Sequence, residues 1–310
     1  MFKLPDLPSP QAECHELADF AELVAWDKGQ VSAREIVAYI GRLSDNDHNV
    51  GCDDNDDEAA DELDEVMNEI ERRATACGGG YPFALEMKGT VLRHVPNEKD
   101  YRSHLYHYLL LCTRLNMKDN RVHAKIDGAE LLEEITAETL RCYLGSKRAQ
   151  SIVFGTAAIG TFEQRVNRLC RSIGEGGKFK PLDTAPVTAK DDKLDTVTWI
   201  PFSDSSRNKL IVFGQCKTGT NWDDMTTQLQ PDGFIQRWMS DRAYLHKPLR
   251  AFCVADSVNR SRWVEYSIYA GLFFDRCRIM DFCEVLEKAL LSKIVKWTTA
   301  AKTTIGFKAK

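Results

Sequence analysis

Hydrophobic positions repeat with two different periods along the chain, and the change falls near its middle. In the first half, apolar residues recur every three or four positions, the spacing of an amphipathic helix. Leu17, Phe20, Ala21 and Val24 follow a helix start at Ser9-Pro10, and Ile36, Ile40 and Leu43 follow the capping box Ser32-Ala33-Arg34-Glu35. Leu63, Val66, Met67 and Ile70 precede the stop Cys77-Gly78-Gly79-Gly80, and Tyr101, Leu105, Tyr108, Leu109 and Cys112 share one further face. Another helix follows Asp127-Gly128, from about Ala129 to Leu144. Residues 1–150 are therefore expected to form a mostly helical recognition or regulatory domain.

After residue 150 the pattern changes. Phe162, Val166, Leu169, Cys170 and Ile173 still mark a helix, but short apolar runs now appear between polar loops. Leu210 to Phe213, Ala251 to Ala255 and Gly271 to Asp275 read as buried strands, and Asp195 to Phe202 has strand composition. A helix is expected between Met225 and about Tyr244, and another through Phe282, Val285, Leu286, Ala289 and Leu290. Strands alternating with helices predict an α/β fold for residues 151–310, with a mixed central sheet flanked by helices.

One strand ends in a way that packing alone does not require. In Lys209-Leu-Ile-Val-Phe-Gly-Gln-Cys-Lys-Thr-Gly219 the apolar run gives way to Gln215 and Lys217. Successive side chains alternate faces, so these two share one face while Cys216 points into the other layer. An amide and an ammonium beside a buried run cost free energy unless partners await them. Two acids upstream are candidates: Asp195, which a hairpin through Ser203 to Asn208 would bring alongside, and Glu163, at the border of the Phe162–Ile173 stripe. Glu133 and Glu134 compete with Glu163 as the helix-borne acid, ranked second for their greater separation from Asp195.

Glu163 on a helix, Asp195 on one strand and Gln215-Cys216-Lys217 on the next resemble, in that order, the restriction-endonuclease-like, or PD-(D/E)XK, nuclease superfamily over about half the chain. No Pro precedes Asp195, and Gln215 stands where most members carry a second acid, as in the Mrr-like Gln-x-Lys variant. The resemblance implies a restriction-endonuclease-like core and a metal-dependent endonuclease that hydrolyses DNA phosphodiester bonds in bacterial restriction or antiphage defence. It implies Mg2+, or Mn2+, held by Asp195, the Gln215 amide oxygen and the Cys216 carbonyl, with Glu163 binding through water and Lys217 orienting or activating the attacking water. Gln215 in place of a carboxylate removes one negative charge, so the metal is expected to bind weakly or only with the substrate phosphate. The alternative is a catalytically weak or inactive adaptor subunit of a defence complex. An ATPase or helicase subunit as partner, and homo-oligomer formation, go with either reading.

Charge is divided along the chain in a way that fits a DNA partner. The net charge is −5, but residues 1–100 carry 9 Lys and Arg against 23 Asp and Glu, net −14, and residues 101–310 carry 32 against 23, net +9. Arg237, Arg242, Lys247, Arg250, Arg260 and Arg262 are the candidate phosphate contacts. The acidic stretch 45–62 is read as a solvated loop, since Asp45 to Glu58 has no Gly at the sixth position of a calcium loop and no Glu at the twelfth. No apolar run approaches membrane-spanning length, and the ten cysteines lack paired spacing, so a cytoplasmic protein without a membrane partner is expected. His104 and His107 lie one turn apart without a second pair of ligands at zinc spacing. Ile211 and Cys216 stand where a phosphate-binding loop requires glycine, which excludes an ATPase motif.

Overall fold

The structure is a computed structural model that describes residues 2–9, 12–44, 54–97, 100–183, 191–283 and 286–306. It is organised around the strand Ile211–Lys217, which lies at the centre of a mixed five-stranded sheet. On one side it pairs antiparallel with Thr196–Trp199, which pairs antiparallel with Gln150–Val153. On the other it pairs parallel with Leu249–Val254, which pairs parallel with Leu272–Phe274. Parallel neighbours need crossover connections, and the helices Pro231–Trp238 and Trp263–Ala270 lie in those two connections.

The two faces of the sheet are covered by different helices. Val197, Trp199, Ile211 and Phe213 pack with Val166, Leu169 and Ile173 of the helix Phe162–Ile173, and with Phe234 and Trp238. Val212 and Cys216 face the other way, towards the helix Gly128–Tyr143, whose Leu131, Leu132, Ile135 and Leu140 are buried. Asp127 caps that helix by accepting hydrogen bonds from the backbone of Ala129 and Glu130, at 2.9 and 3.3 Å. The helix lies so close that a Cβ at Gly214 would stand 2.8 Å from Leu140 Cδ1 and 2.4 Å from Thr196 Oγ1, so only glycine fits.

The N-terminal helices share this second core. Leu17, Phe20 and Val24 of the helix Cys14–Lys28, Leu105 and Leu109 of the helix Arg102–Arg114, and Ile294 and Trp297 of the helix Lys288–Lys302 belong to one apolar cluster with Val212, Ala251 and Cys253 of the sheet. The boundary expected at residue 150 thus falls inside a continuous core, between the helix Gly128–Tyr143 and the sheet it covers. Helical periodicity identified the elements but carried no information about which of them pack on strands.

A buried ionic network ties the ends of the chain together. Asp19 accepts hydrogen bonds from Arg73 Nη1, Arg114 Nε and Arg276 Nη1, each at 2.7 Å. Arg73 also donates to Glu22 at 3.0 Å, and the hydroxyls of Tyr81 and Tyr106 donate to the same carboxylate at 2.7 and 2.8 Å. Burial alone would raise the pKa of Asp19, but Arg276, Arg114 and Arg73 hold it well below the usual carboxylate range.

Several expected elements differ from those observed. The helix placed between Met225 and Tyr244 is confined to Pro231–Trp238, because Met239 is extended and bridges to Phe179. The helix expected through Phe282 and Leu290 is two helices, Arg276–Phe282, whose start is capped by Asp275, and Lys288–Lys302, with Cys283 outside helical geometry. Val285 lies outside the described residues. Of the acidic stretch 45–62, residues 54–62 belong to the long helix Asp54–Cys77 rather than to a loop, acids at a helix N-terminus being favoured by its dipole, and 45–53 lie outside the described residues. Pro10 also lies outside them, and the first helix runs from Cys14. The Ser32–Glu35 capping box is present, with Ser32 N donating to Glu35 at 2.8 Å and Glu35 N to Ser32 Oγ at 3.3 Å. The short strands Phe83–Glu86 and Val91–His94, which pair with each other, gave no periodic signal long enough to read. Among the described residues no helix is long and apolar enough to cross a membrane.

Candidate active site

The hairpin places Asp195 beside the Gln-x-Lys strand. Asp195 N donates to Gly214 O at 3.0 Å, and the Asp195 carboxylate accepts from Cys216 N at 2.7 Å. In extended backbone the N–H and C=O of one residue lie on the same strand edge. The Cys216 carbonyl therefore faces the edge occupied by Asp195, beyond the first residue of the Thr196–Trp199 strand. Burial pushes the Asp195 carboxyl up to about 7, although the Lys217 charge and the Cys216 N–H both favour its ionised form. Glu133 and Asp191 are the carboxylates whose charge raises it further.

Gln215 is 0% exposed, and neither its Oε1 nor its Nε2 has a hydrogen-bond partner among the described residues. Leaving buried amide groups unpaired costs about 1–3 kcal/mol each, so this side chain is held in place against its own solvation. Lys217, at the end of the strand, is half-buried. Both lie on the face shared with Phe213, as strand alternation requires.

Of the two helix-borne acids, Glu133 is the one whose charge acts on Asp195. Glu133 accepts from Thr156 N at 3.0 Å, Thr156 Oγ1 at 2.8 Å and Ala157 N at 2.9 Å. Those residues directly follow Phe154 and Gly155, whose amides donate to the Asp195 carbonyl at 2.7 and 2.9 Å. Glu133 and Asp195 are thus tied to neighbouring residues of one short segment, 154–157. Burial raises the Glu133 pKa against the hydrogen bonds from Ala157 and Thr156. Glu163 sits exposed in the first turn of its helix, beside the capping box of Thr161 and Gln164, where an acid suits the helix dipole. The helical stripe located that helix correctly, but a position at the stripe's border is also the position of an exposed residue.

Gly155 permits the approach of Glu133, since a Cβ there would lie 2.5 Å from Glu133 Oε2. Gly155→Ala is expected to displace the carboxylate and cost about 1–3 kcal/mol of stability. A denaturation midpoint and a structure of the variant check both effects.

Asp191 was not foreseen. It is half-buried in the turn before Asp195, and no sequence signal separates it from Asp192, which pairs instead with Arg237 and Trp238 Nε1. Among the described residues no three His, Cys, Asp or Glu side chains come close enough to hold a metal ion by themselves. A cation at Asp195 would therefore depend on the neutral oxygens of Gln215 and Cys216.

The six basic residues proposed as phosphate contacts all have internal partners. Arg237 pairs with Asp192, Lys247 with Asp232, Arg260 with Asp275 and Arg262 with Glu265. Arg242 donates to the carbonyls of Lys180 and Gln236, and Arg250 to those of Leu229, Ala270 and Tyr269. Lys247 and Arg262 keep their charge at the surface in these pairs, with side chains 84% and 45% exposed. Of the two histidines at helical spacing, His104 is exposed, whereas His107 is buried, stacked on Trp26 at 3.9 Å and 3.1 Å from His94. Burial lowers the pKa of His107 well below its ordinary value and that of His94 to about 4, so this pair is neutral packing.

No protein-family model matches the chain, nor does any curated protein or solved structure.

Proposed function

We propose that this protein is a metal-dependent endonuclease that hydrolyses DNA phosphodiester bonds, with a restriction-endonuclease-like core and a Gln-x-Lys variant of its site. The observation that carries the reading is the fully buried, unpartnered Gln215 amide beside the Asp195 carboxylate, whose pKa burial raises to about 7, since both groups are held at a cost in free energy. The order of elements supports it: a helix with Glu133, a strand, the helix Phe162–Ile173, a strand that Asp195 directly precedes, a strand ending in Gln215 and Lys217, a helix and a parallel strand.

Asp195, the Gln215 amide oxygen and the Cys216 carbonyl would hold Mg2+ or Mn2+, with Glu133 in the role first given to Glu163. The ion would supply neutralisation of phosphate charge and a water of lowered pKa. Asp195 contributes the negative charge and is oriented by the Cys216 N–H. Lys217 would donate to the phosphate or orient the attacking water. Glu133 is fixed by the Thr156–Ala157 backbone, so its position does not depend on a flexible side chain. An ATPase or helicase subunit as protein partner, self-association and a role in restriction or antiphage defence are part of the same proposal.

The test is cleavage of plasmid DNA in the presence of Mg2+ or Mn2+. Glu133→Gln and Lys217→Ala are expected to lower the rate on the order of 10²-fold or more, whereas Glu163→Gln is expected to stay within about twofold. If Glu163→Gln alone abolishes cleavage, the assignment of Glu133 is wrong. The second reading, an adaptor with a disabled site, is favoured by the lost acid at Gln215. A wild-type protein that neither binds Mn2+ nor cleaves, alone or with partner subunits, would establish that reading instead.

A further inference from the structure

The loop Gly155–Thr161 is built as a rigid projection from the candidate active site. At its base, Phe154 and Gly155 donate to the Asp195 carbonyl, and Thr156 and Ala157 bind the Glu133 carboxylate. At its far end Arg168 Nη2 donates to the Ile159 carbonyl at 3.0 Å, and Thr161 caps the following helix. Between these anchors stand Ala157, Ala158, Ile159 and Gly160, small residues around one branched aliphatic side chain. Ile159 is 86% exposed, more than any other large hydrophobic side chain among the described residues. Isolated exposed apolar residues are ordinary on protein surfaces. This one differs in its support, because the bonds that anchor the base of the loop also fix Glu133 and Asp195, and Ala158 N closes it by donating to Gly155 O at 3.2 Å.

Resting on the nuclease reading, we propose that Ile159 is a wedge that enters the minor groove of duplex DNA and partly unstacks one base step beside the scissile phosphate. Apolar side chains that enter a base step from the minor groove offset part of their own hydration cost, partly unstack the step and kink the duplex towards its major groove, which opens the minor groove to the protein. Ala157, Ala158 and Gly160 leave room for the sugar edges on either side. Because the loop backbone holds Glu133, a duplex that fails to accept the wedge would sit away from the metal ligands. Flexible pyrimidine–purine steps would then be cut in preference to stiff A-tracts.

The experiment uses the full chain with Ca2+ in place of Mg2+ and duplexes carrying 2-aminopurine at a TA step or within an A-tract. Wild-type protein is expected to raise the fluorescence of the TA-step probe. Ile159→Ser is expected to abolish that rise and weaken duplex binding about tenfold, Ile159→Leu to retain both, and Mn2+ affinity measured by calorimetry without DNA to be equal in all three. The inference is overturned if Ile159→Ser matches wild type in fluorescence and affinity, or if Ile159→Ser changes Mn2+ affinity, which would mark the loop as structural support only. A wild-type protein that binds and cleaves duplex without any fluorescence change removes the wedge and leaves the nuclease reading standing. One that neither binds nor cleaves DNA removes both.

Discussion

Asp195→Asn is expected to abolish metal-dependent cleavage, on the order of 10³-fold or more, while making the metal-free protein more stable at pH 8. The side-chain oxygen of Asn can still accept from Cys216 N, so the backbone geometry of the hairpin survives. What disappears is a buried negative charge. Because burial displaces the carboxyl from 3.8 to about 7, the folded state holds a proton that the unfolded chain releases. Below pH 4 both states are protonated and the group contributes nothing. Between pH 4 and 7 the folded state binds more protons, so its stability falls as pH rises, and above 7 the full cost is present. That cost is at most about 4 kcal/mol. Melting temperatures of wild type and Asp195→Asn without metal, compared at pH 5 and pH 8, check the prediction. Equal slopes against pH would show that Asp195 is not the strained group proposed.

Such a gain in stability from loss of function is the signature of a residue kept for chemistry, and it shows what the sequence could and could not reveal. The Gln-x-Lys strand and its hairpin partner were legible because a buried strand has a strict two-residue period, and polar residues at its end stand out against it. Asp195 followed from the hairpin connection. Glu133 was visible only as a competitor, because a helix periodicity identifies its buried stripe but not which end of the sheet it meets. The contacts that select Glu133, from Thr156 and Ala157, are made by a loop with no periodic signal. The basic residues are a related case. Their charge is legible in the sequence, whereas their engagement by Asp192, Asp275 or main-chain carbonyls is a property of the folded chain alone. The core shared by the N-terminal helices and the sheet was hidden in the same way.

Asp19→Ala is expected to be the most damaging single substitution for the fold. It removes one carboxylate that faces Arg73, Arg114 and Arg276, all of them inaccessible to solvent, and leaves three guanidinium groups with Glu69, Glu22 and Glu16 as their nearest counter-charges. Breaking one buried pair typically costs about 3–5 kcal/mol, and a whole domain is stable by only about 5–15 kcal/mol. A drop in melting temperature of at least about 10 °C, or loss of soluble protein, is the expected result. Glu16→Gln, whose carboxylate accepts from Arg114 at 3.0 Å and does not meet Arg73 or Arg276, is expected to cost far less. The effect should reach the candidate site by a short path: Arg276 Nε donates to the Ala255 carbonyl at 3.1 Å, and Ala255 N donates to the Lys217 carbonyl at 3.3 Å. If Asp19→Ala folds with a loss below about 1 kcal/mol in urea titration, the network does not organise the core as argued, and the coupling from the first helix to Lys217 fails with it.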